Sequence, residues 1–357
     1  MIAPNLLVAK LAKQSVNVSN PEAHIRLSLN ENAYGPSPSV GEAIRAQLGE
    51  LNRYADDSLG HRFAEQVAAY EQVPVEQIIL GEILEPLGIF LSESGGPGGE
   101  FLYSSPGYLA MIDAATLVGG IGVPVPLNSE YKNDLIALTS KINPKTRAIY
   151  LVNPHNPTGT MNDENEFKNF LRHSSEHAVV VVDEAYLEYS EDFRIKSATS
   201  LVREGANVAV FRTFDKIYGL AGIPIGYVVA PRSLADALRG KGLGSAEDLG
   251  RLNLVAASAA LKDPGHVEYT RKAVAKERAA WFSVLNELAL PHTDASANFV
   301  FFDAGRPQAI LAAAMRARGV DIGRAHPPYT NWARITIGLP TENQYAQKIL
   351  RTALKES

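Results

Sequence analysis

The chain has 357 residues, 46% of them hydrophobic, which is enough to fill one large or two modest globular cores. It has no cysteine, so disulfides, thiolate metal sites and thiol nucleophiles are excluded. Its 34 basic and 39 acidic residues give a formal net charge of −5 without basic blocks, and nothing electrostatic points to nucleic acid.

At the N-terminal end, "MIAPNLLVAKLAKQSVNVSNPEAHIRLSLNENAYGPS" lacks the uninterrupted apolar core of a signal peptide, and no later run is long enough to span a bilayer. The expectation is a soluble cytoplasmic protein. Short apolar runs bounded by turn residues then follow: "QIIL" (77–80), "EFLY" (100–103), "RAIYLV" (147–152), "AVVVVD" (178–183), "NVAVF" (207–211) and "IGYVVA" (225–230). Continuous runs of this kind suit strands buried on both faces of a largely parallel sheet. Helical stretches such as 161–177 alternate with them, which predicts an α/β layer architecture. From about 231 to 290 the Ala/Leu/Arg-rich composition predicts long helices. Two further strands, "NFVFF" (298–302) and "ARITI" (333–337), predict a second, smaller domain built mainly from the C-terminal third.

Three strand ends carry chemistry. "NPHNPTGT" (153–160) is a stiff loop that can aim Asn153 and Asn156; alone it reads as an ordinary turn. "VVVVDEAYLEY" ends a strand in Asp183 and Glu184, and an isolated Asp-Glu pair is more often a cap for the next turn. "FRTFDKIYGLAG" places Lys216 among small residues after a third strand. In an open α/β sheet, ligands bind at the carboxyl ends of strands, so together these deliver an amide, a carboxylate and an amine to one place. A pyridoxal-phosphate enzyme needs such a lysine for its Schiff base and such an acid at the pyridine nitrogen.

"LSLNENAYGPSP", "NRYAD", "YLVNPHNPTGT", "VVVDEAYLEY", "RTFDKIYGLAGIPIGY" and "ARITIGLPTEN" occur in order over nearly the whole chain. Together they resemble the fold-type I, pyridoxal-phosphate-dependent aminotransferases, and most closely the histidinol-phosphate aminotransferase group. The resemblance implies a mainly parallel seven-stranded sheet in a large domain over residues 50–255. Residues 1–49 would then be an N-terminal segment shared with the small domain, and 256–357 the small C-terminal domain. It implies Lys216 as the Schiff-base lysine, Asp183 as partner of the ring nitrogen, Asn156 and Tyr186 at the ring hydroxyl, and Tyr108 stacked on the ring. Arg334 matches the arginine that grips the substrate carboxylate, a task that suits its planar fork. Tyr34 matches the segment that covers an amino-acid-like substrate. Tyr54 matches a tyrosine that reaches the neighbouring subunit's cofactor phosphate, so a homodimer is implied.

The departures from the pattern fall together at the phosphate. The family follows its strand with an "NGSDE"-like turn whose amides, at a helix N-terminus, hold the phosphate. Here "IILGEILEPLG" (78–88) runs directly from Gly81 into Glu82. Asp215, beside the catalytic lysine, replaces a serine, and Pro224 replaces an arginine. Thr213 and Tyr54 are the familiar phosphate contacts that remain. A carboxylate facing a phosphate in a low-dielectric pocket is repulsive, so Asp215 would have to turn away, pair with a cation such as Arg212, or bind protonated. The loop "KGLGSAEDLG" (241–250) has spare amides, but its position in the sequence does not recommend it as a replacement. The family's distal "GIxVR" arginine falls on Gly323, with Arg324 one later, which argues against histidinol phosphate as substrate.

Two other functions compete. A cofactor-free enzyme or binding protein could reuse the pocket of Lys216, Asp183 and Asn156. "HSSEH" (173–177) fits the H-x-x-E-H zinc-peptidase pattern, although its place at the polar end of a helix suggests a solvated face.

Overall fold

The computed structural model describes residues 24–244 and 249–355. Its strands are β1 (Ile25–Leu27), β2 (Ile78–Leu80), β3 (Glu100–Ser105), β4 (Ile121–Pro126), β5 (Thr146–Val152) and β6 (Val179–Asp183), then β7 (Val208–Thr213), β8 (Gly226–Val229), β9 (Phe299–Asp303), β10 (Val320–Ile322) and β11 (Trp332–Thr336). Seven of them form one sheet in the order β2-β8-β7-β6-β5-β3-β4. Strands β3 to β7 pair in parallel, while β8 runs antiparallel to both β7 and β2. The chain is therefore α/β with a mixed, mainly parallel sheet, as expected.

The predicted runs became strands because their side chains are buried on both faces. Every residue of β2, β7 and β8 is buried, as is all of β6 except its first. One sheet strand escapes a hydrophobicity reading. β4, "IGVPVP", holds two prolines and has only one buried residue, which an edge position tolerates. Away from the sheet, β9 pairs antiparallel with β11, and β1 pairs in parallel with β10 across almost the whole length of the sequence. The helical expectation over 161–177 is met by Glu164–Ser175, capped by Asp163. The Ala/Leu/Arg-rich region holds three helices, Arg232–Arg239, Arg251–Leu261 and Pro264–Glu287.

Strand direction places the site. β5, β6 and β7 are adjacent and parallel, so their carboxyl ends lie side by side. β2 ends on the same edge, where the Gly81 amide donates to the Gly226 carbonyl at the start of β8 (2.8 Å). Residues 81–82, 153–156, 183, 213–216 and 224 therefore converge although 143 positions separate the first from the last. Among the described residues, no helix is long and apolar enough to cross a membrane.

Candidate active site

A cavity of about 340 Å³ opens at this edge. Lys216, Asp183, Asn156, Tyr186, Tyr108, Thr213 and Asp215 all line it. Seven residues named from the sequence thus share one wall.

Asp183 and Glu184 are consecutive at a strand end, so their side chains leave on opposite faces. Asp183 faces the cavity, where its carboxylate accepts from the Tyr150 hydroxyl (3.0 Å) and the Ala185 amide (3.0 Å). Burial pushes its pKa up to about 6, against the pull of those two donors and of Lys216. Glu184 points the other way, into the core beside Arg212 (3.0 Å). The two-carboxylate motif is one site residue and one structural residue.

Arg334, on β11, reaches across to this wall. Its guanidinium donates to Asn156 Oδ1 (2.5 Å) and to the Ser28 carbonyl (3.0 Å), while its buried Nε has no partner. Asn156 in turn donates to the Tyr186 hydroxyl (3.4 Å), which also accepts from Asn30 Nδ2 (3.0 Å). Buried Asn30 was missed by sequence reasoning, although it lies in the quoted "LNEN". Its signal is backbone geometry: φ is +57°, a value that asparagine tolerates better than most residues.

The amino-terminal segment closes over the lysine loop. Asn32 Nδ2 donates to the Ile217 carbonyl (2.8 Å), and a Cβ on Gly219, whose φ is +75°, would meet the Gly35 carbonyl carbon at 2.6 Å. The glycine of "KIYGLAG" is needed for that close approach. Tyr34 packs edge-on against Tyr269 (6.0 Å) and does not line the cavity. Tyr54 is 87% exposed and also lies outside the cavity wall. Arg324 stands outside it too, near enough to Arg334 and His326 to help hold the His326 pKa down at about 3, after burial.

The wall next to Lys216 is acidic. Glu82, Glu85, Asp215 and Pro224 line it, and Lys216 is the only cation among the described lining residues. Glu82 and Glu85 were not singled out from the sequence, because the shortened "GEILEPLG" turn was read for what it lacked. Burial pushes Glu82 up to about 7, and Asp215 adds to that shift. Asp215 is raised as well, by burial against the pull of Lys216. The Asp215 amide donates to Thr213 Oγ (3.1 Å), but its own Oδ1 is buried with no hydrogen-bond partner. Asp215 does not pair with Arg212, contrary to expectation, because Arg212 is buried with Glu184 and Glu188. The expectation for "KGLGSAEDLG" also changes. A Cβ on Gly81 would lie 3.5 Å from Leu249, and one on Gly244 3.5 Å from the Leu80 amide, so both flanks of that segment abut the end of β2. Residues 245–248 lie outside the described part.

His173, Glu176 and His177 of the H-x-x-E-H pattern bring their ligand atoms within 4.8 Å of one another, but all three are exposed at the end of the helix Glu164–Ser175. None of them lines the Lys216 cavity. Chelation of divalent ions is expected to leave activity intact, and His173→Ala to match the parent protein in rate and melting temperature. Loss of activity in both experiments would reinstate the metal.

Comparison with known proteins agrees with the geometry. The family model "Aminotransferase class I and II" matches residues 22–349. A histidinol-phosphate aminotransferase 2 of Carboxydothermus hydrogenoformans is 34% identical, over 89% of this chain and 88% of that protein. An aromatic amino acid aminotransferase of Thermobifida fusca is 35% identical, over 93% and 91%. Among solved structures, a histidinol-phosphate aminotransferase from Sinorhizobium meliloti in complex with pyridoxal-5'-phosphate superposes with a TM-score of 0.83 at 25% identity, over 99% of this chain and 95% of that one. With a shared edge of three parallel strands, a lysine and an aspartate on one wall, and matches of this extent, the chain belongs to the aminotransferase class I and II family.

Proposed function

We propose that the chain is an aminotransferase-type enzyme that acts on a carboxylate-bearing amino acid, with Lys216 as its reactive amine. The observation that carries this reading is that Lys216 and Asp183 line one cavity with Arg334 reaching its wall through Asn156. The function needs an amine that can exchange protons, a buried anion, and a cation for the substrate. Asp183 ends β6, Lys216 follows β7, and Arg334 stands within β11.

The family implies pyridoxal phosphate, which supplies an electron sink for bonds at the amino-bearing carbon. The ring end of the cavity fits it. Asp183 is a buried carboxylate suited to a ring N–H, Tyr186 and Asn156 offer polar atoms for a ring hydroxyl, and Tyr108 supplies an aromatic face. The same cavity does not fit a phosphate: Glu82, Glu85 and Asp215 line it, and Lys216 is the only cation among the described lining residues. A dianion there would face like charge at low dielectric.

Within this site, Arg334 holds the substrate carboxylate while Asn156 and the Ser28 carbonyl fix its guanidinium. Lys216 moves protons at its Nζ. Tyr186, held by Asn30, orients the ring-hydroxyl side. Asp215 and Thr213 shape the wall beside the lysine. Tyr34 acts with the amino-terminal segment to cover the substrate, Arg324 faces its distal end, and Tyr54, strongly exposed, contributes to a partner subunit's site. That arrangement belongs to a cytoplasmic homodimer with a large domain over 50–255 and a small one over 256–357. The relatives named above include both histidinol-phosphate and aromatic amino acid enzymes, and Gly323 offers no side chain for a distal phosphate.

The test is amino-group transfer from a panel of amino acids to 2-oxo acids. Arg334→Ala is expected to raise KM and lower kcat together, with kcat/KM falling roughly 10- to 100-fold, the range for losing hydrogen bonds to a charged group. Arg334→Lys is expected to recover little, because a point charge does not reproduce the fork. Unchanged kinetics in Arg334→Ala would mean that the substrate is held elsewhere.

A further inference from the structure

Nothing about the acidic wall is explained by aminotransferase chemistry as such. Glu82, Glu85 and Asp215 are three carboxylates in one small cavity, two from the segment that follows β2 and one from the lysine loop. They sit at two of the places where the resemblance puts phosphate ligands, the turn after β2 and the residue before the lysine, and Pro224 stands at the third, eight residues after the lysine. We infer that this cavity takes the pyridoxal-type ring without its phosphate, with the carboxylates of Glu82 and Asp215 facing the ring's hydroxymethyl group as hydrogen-bond acceptors. The inference rests on the proposed function and names the form of ring that the site selects.

Three observations converge on it. The helix Leu84–Ser94 has no side-chain cap at Ile83, but Glu85 lies in its first turn and Glu82 just precedes it. Negative charge at a helix N-terminus is favourable, and here the chain itself supplies what a ligand phosphate would otherwise supply. The second observation is Asp215 Oδ1, a buried acceptor atom without a donor, although Thr213 and the Ile225 backbone reach the carboxylate elsewhere. A hydroxyl provides that donor; a phosphate dianion provides only more acceptors. Third, Lys216 is the only cation among the described residues that line the cavity. Pro224 has neither a charge nor an amide hydrogen, and its carbonyl is already taken by Asn253 (2.8 Å).

The charge states support discrimination rather than mere weakness. Glu82 is faced by Asp215, Asp183 and Glu85 as like charges and by Lys216 as the one opposing charge. Its pKa of about 7 means that near neutrality it alternates between acceptor and donor, both of which a neutral hydroxyl can satisfy. A phosphate gains nothing from the ionised form.

Pyridoxamine and pyridoxamine 5'-phosphate are the test pair, since they differ only in the phosphate and neither carries an aldehyde. Each is titrated calorimetrically into the full-length protein at pH 8. The expected result is at least tenfold tighter binding of pyridoxamine. Asp215→Ser and Glu82→Gln should each shrink that preference, and Asp215→Ser combined with Pro224→Arg should reverse it. The single variants alter no buried apolar group, so they carry the test even if the double variant fails to fold. Tighter or equal binding of the phosphorylated form by the parent protein would overturn the inference and leave the proposed function standing. No binding of either compound at millimolar concentration would overturn both.

Discussion

Lys216→Ala and Lys216→Arg are both expected to lose amino-group transfer while folding like the parent protein. Lys216 lines the cavity, its residue is only half-buried, and it makes no side-chain hydrogen bond or ion pair among the described residues, so its removal costs the fold little. The activity is another matter. Lys216 is the one amine among the lining residues, and no neighbouring lysine can stand in for it. Loss of a positioned proton-transfer group costs about 10²–10⁴-fold, and loss of a nucleophile that acts in the same unit costs no less. Arginine keeps the positive charge but cannot give up its proton at any working pH, so Lys216→Arg separates charge from reactivity. The measurement is transfer rate with the best substrate of the panel, beside the melting temperature of each variant. A Lys216→Arg protein that keeps its rate would remove Lys216 from the chemistry and with it the proposed function.

The parts of this site that were legible in the sequence are those that end a strand. Asp183, Asn156 and Lys216 each follow an apolar run, and a parallel sheet brings such positions to one edge whatever their separation in the chain. The mostly buried β5, β6 and β7 made those runs plain. β1 and β10 were not legible, because three residues with an alternating burial pattern carry almost no signal, and their pairing spans 295 positions from Ile25 to Val320. β4 was hidden by its prolines.

At the site itself, pattern matching found absences more readily than replacements. The loss of the phosphate turn was visible in "GEILEPLG", yet Glu82 and Glu85 were not weighed as site residues, since only the sheet's order shows that β2 ends beside β8 and hence beside Pro224 and Lys216. Arg212 shows the opposite error. Its sequence position, four before Lys216, suggested a partner for Asp215, but along a strand it faces away from the cavity. Alternation, which separates Asp183 from Glu184, also separates Arg212 from the lysine loop.

That buried arginine carries the largest expected effect on stability. Arg212 is 1% exposed and pairs with Glu188 (2.8 Å) and Glu184 (3.0 Å), with Glu71 at 4.0 Å. The carboxylates have other donors: the Ala198 amide and Ser197 hydroxyl reach Glu184 (2.6 and 2.8 Å), and Tyr227 reaches Glu71 (2.6 Å). Among the described residues Arg212 is the cation paired with all three, so Arg212→Met leaves three buried carboxylates without it. Breaking one such pair costs about 3–5 kcal/mol, a large share of the ~5–15 kcal/mol that holds a typical domain together. The loss depends on pH with a definite sign. Burial already pushes Glu184 up to about 7 with Arg212 pulling it down, so without the arginine its folded-state pKa rises further above the unfolded value. A raised carboxyl pKa favours folding while the group is protonated and loses that contribution as pH climbs through the folded value. The Arg212→Met deficit, measured by urea unfolding of variant and parent, is therefore expected to be smaller at pH 5.5 than at pH 8. Adding Glu184→Gln and Glu188→Gln to Arg212→Met should recover much of it, because hydrogen-bonded amides need no counter-charge. Equal stability of Arg212→Met and parent at pH 8 would show that the cluster does not hold the floor beneath β7 in place.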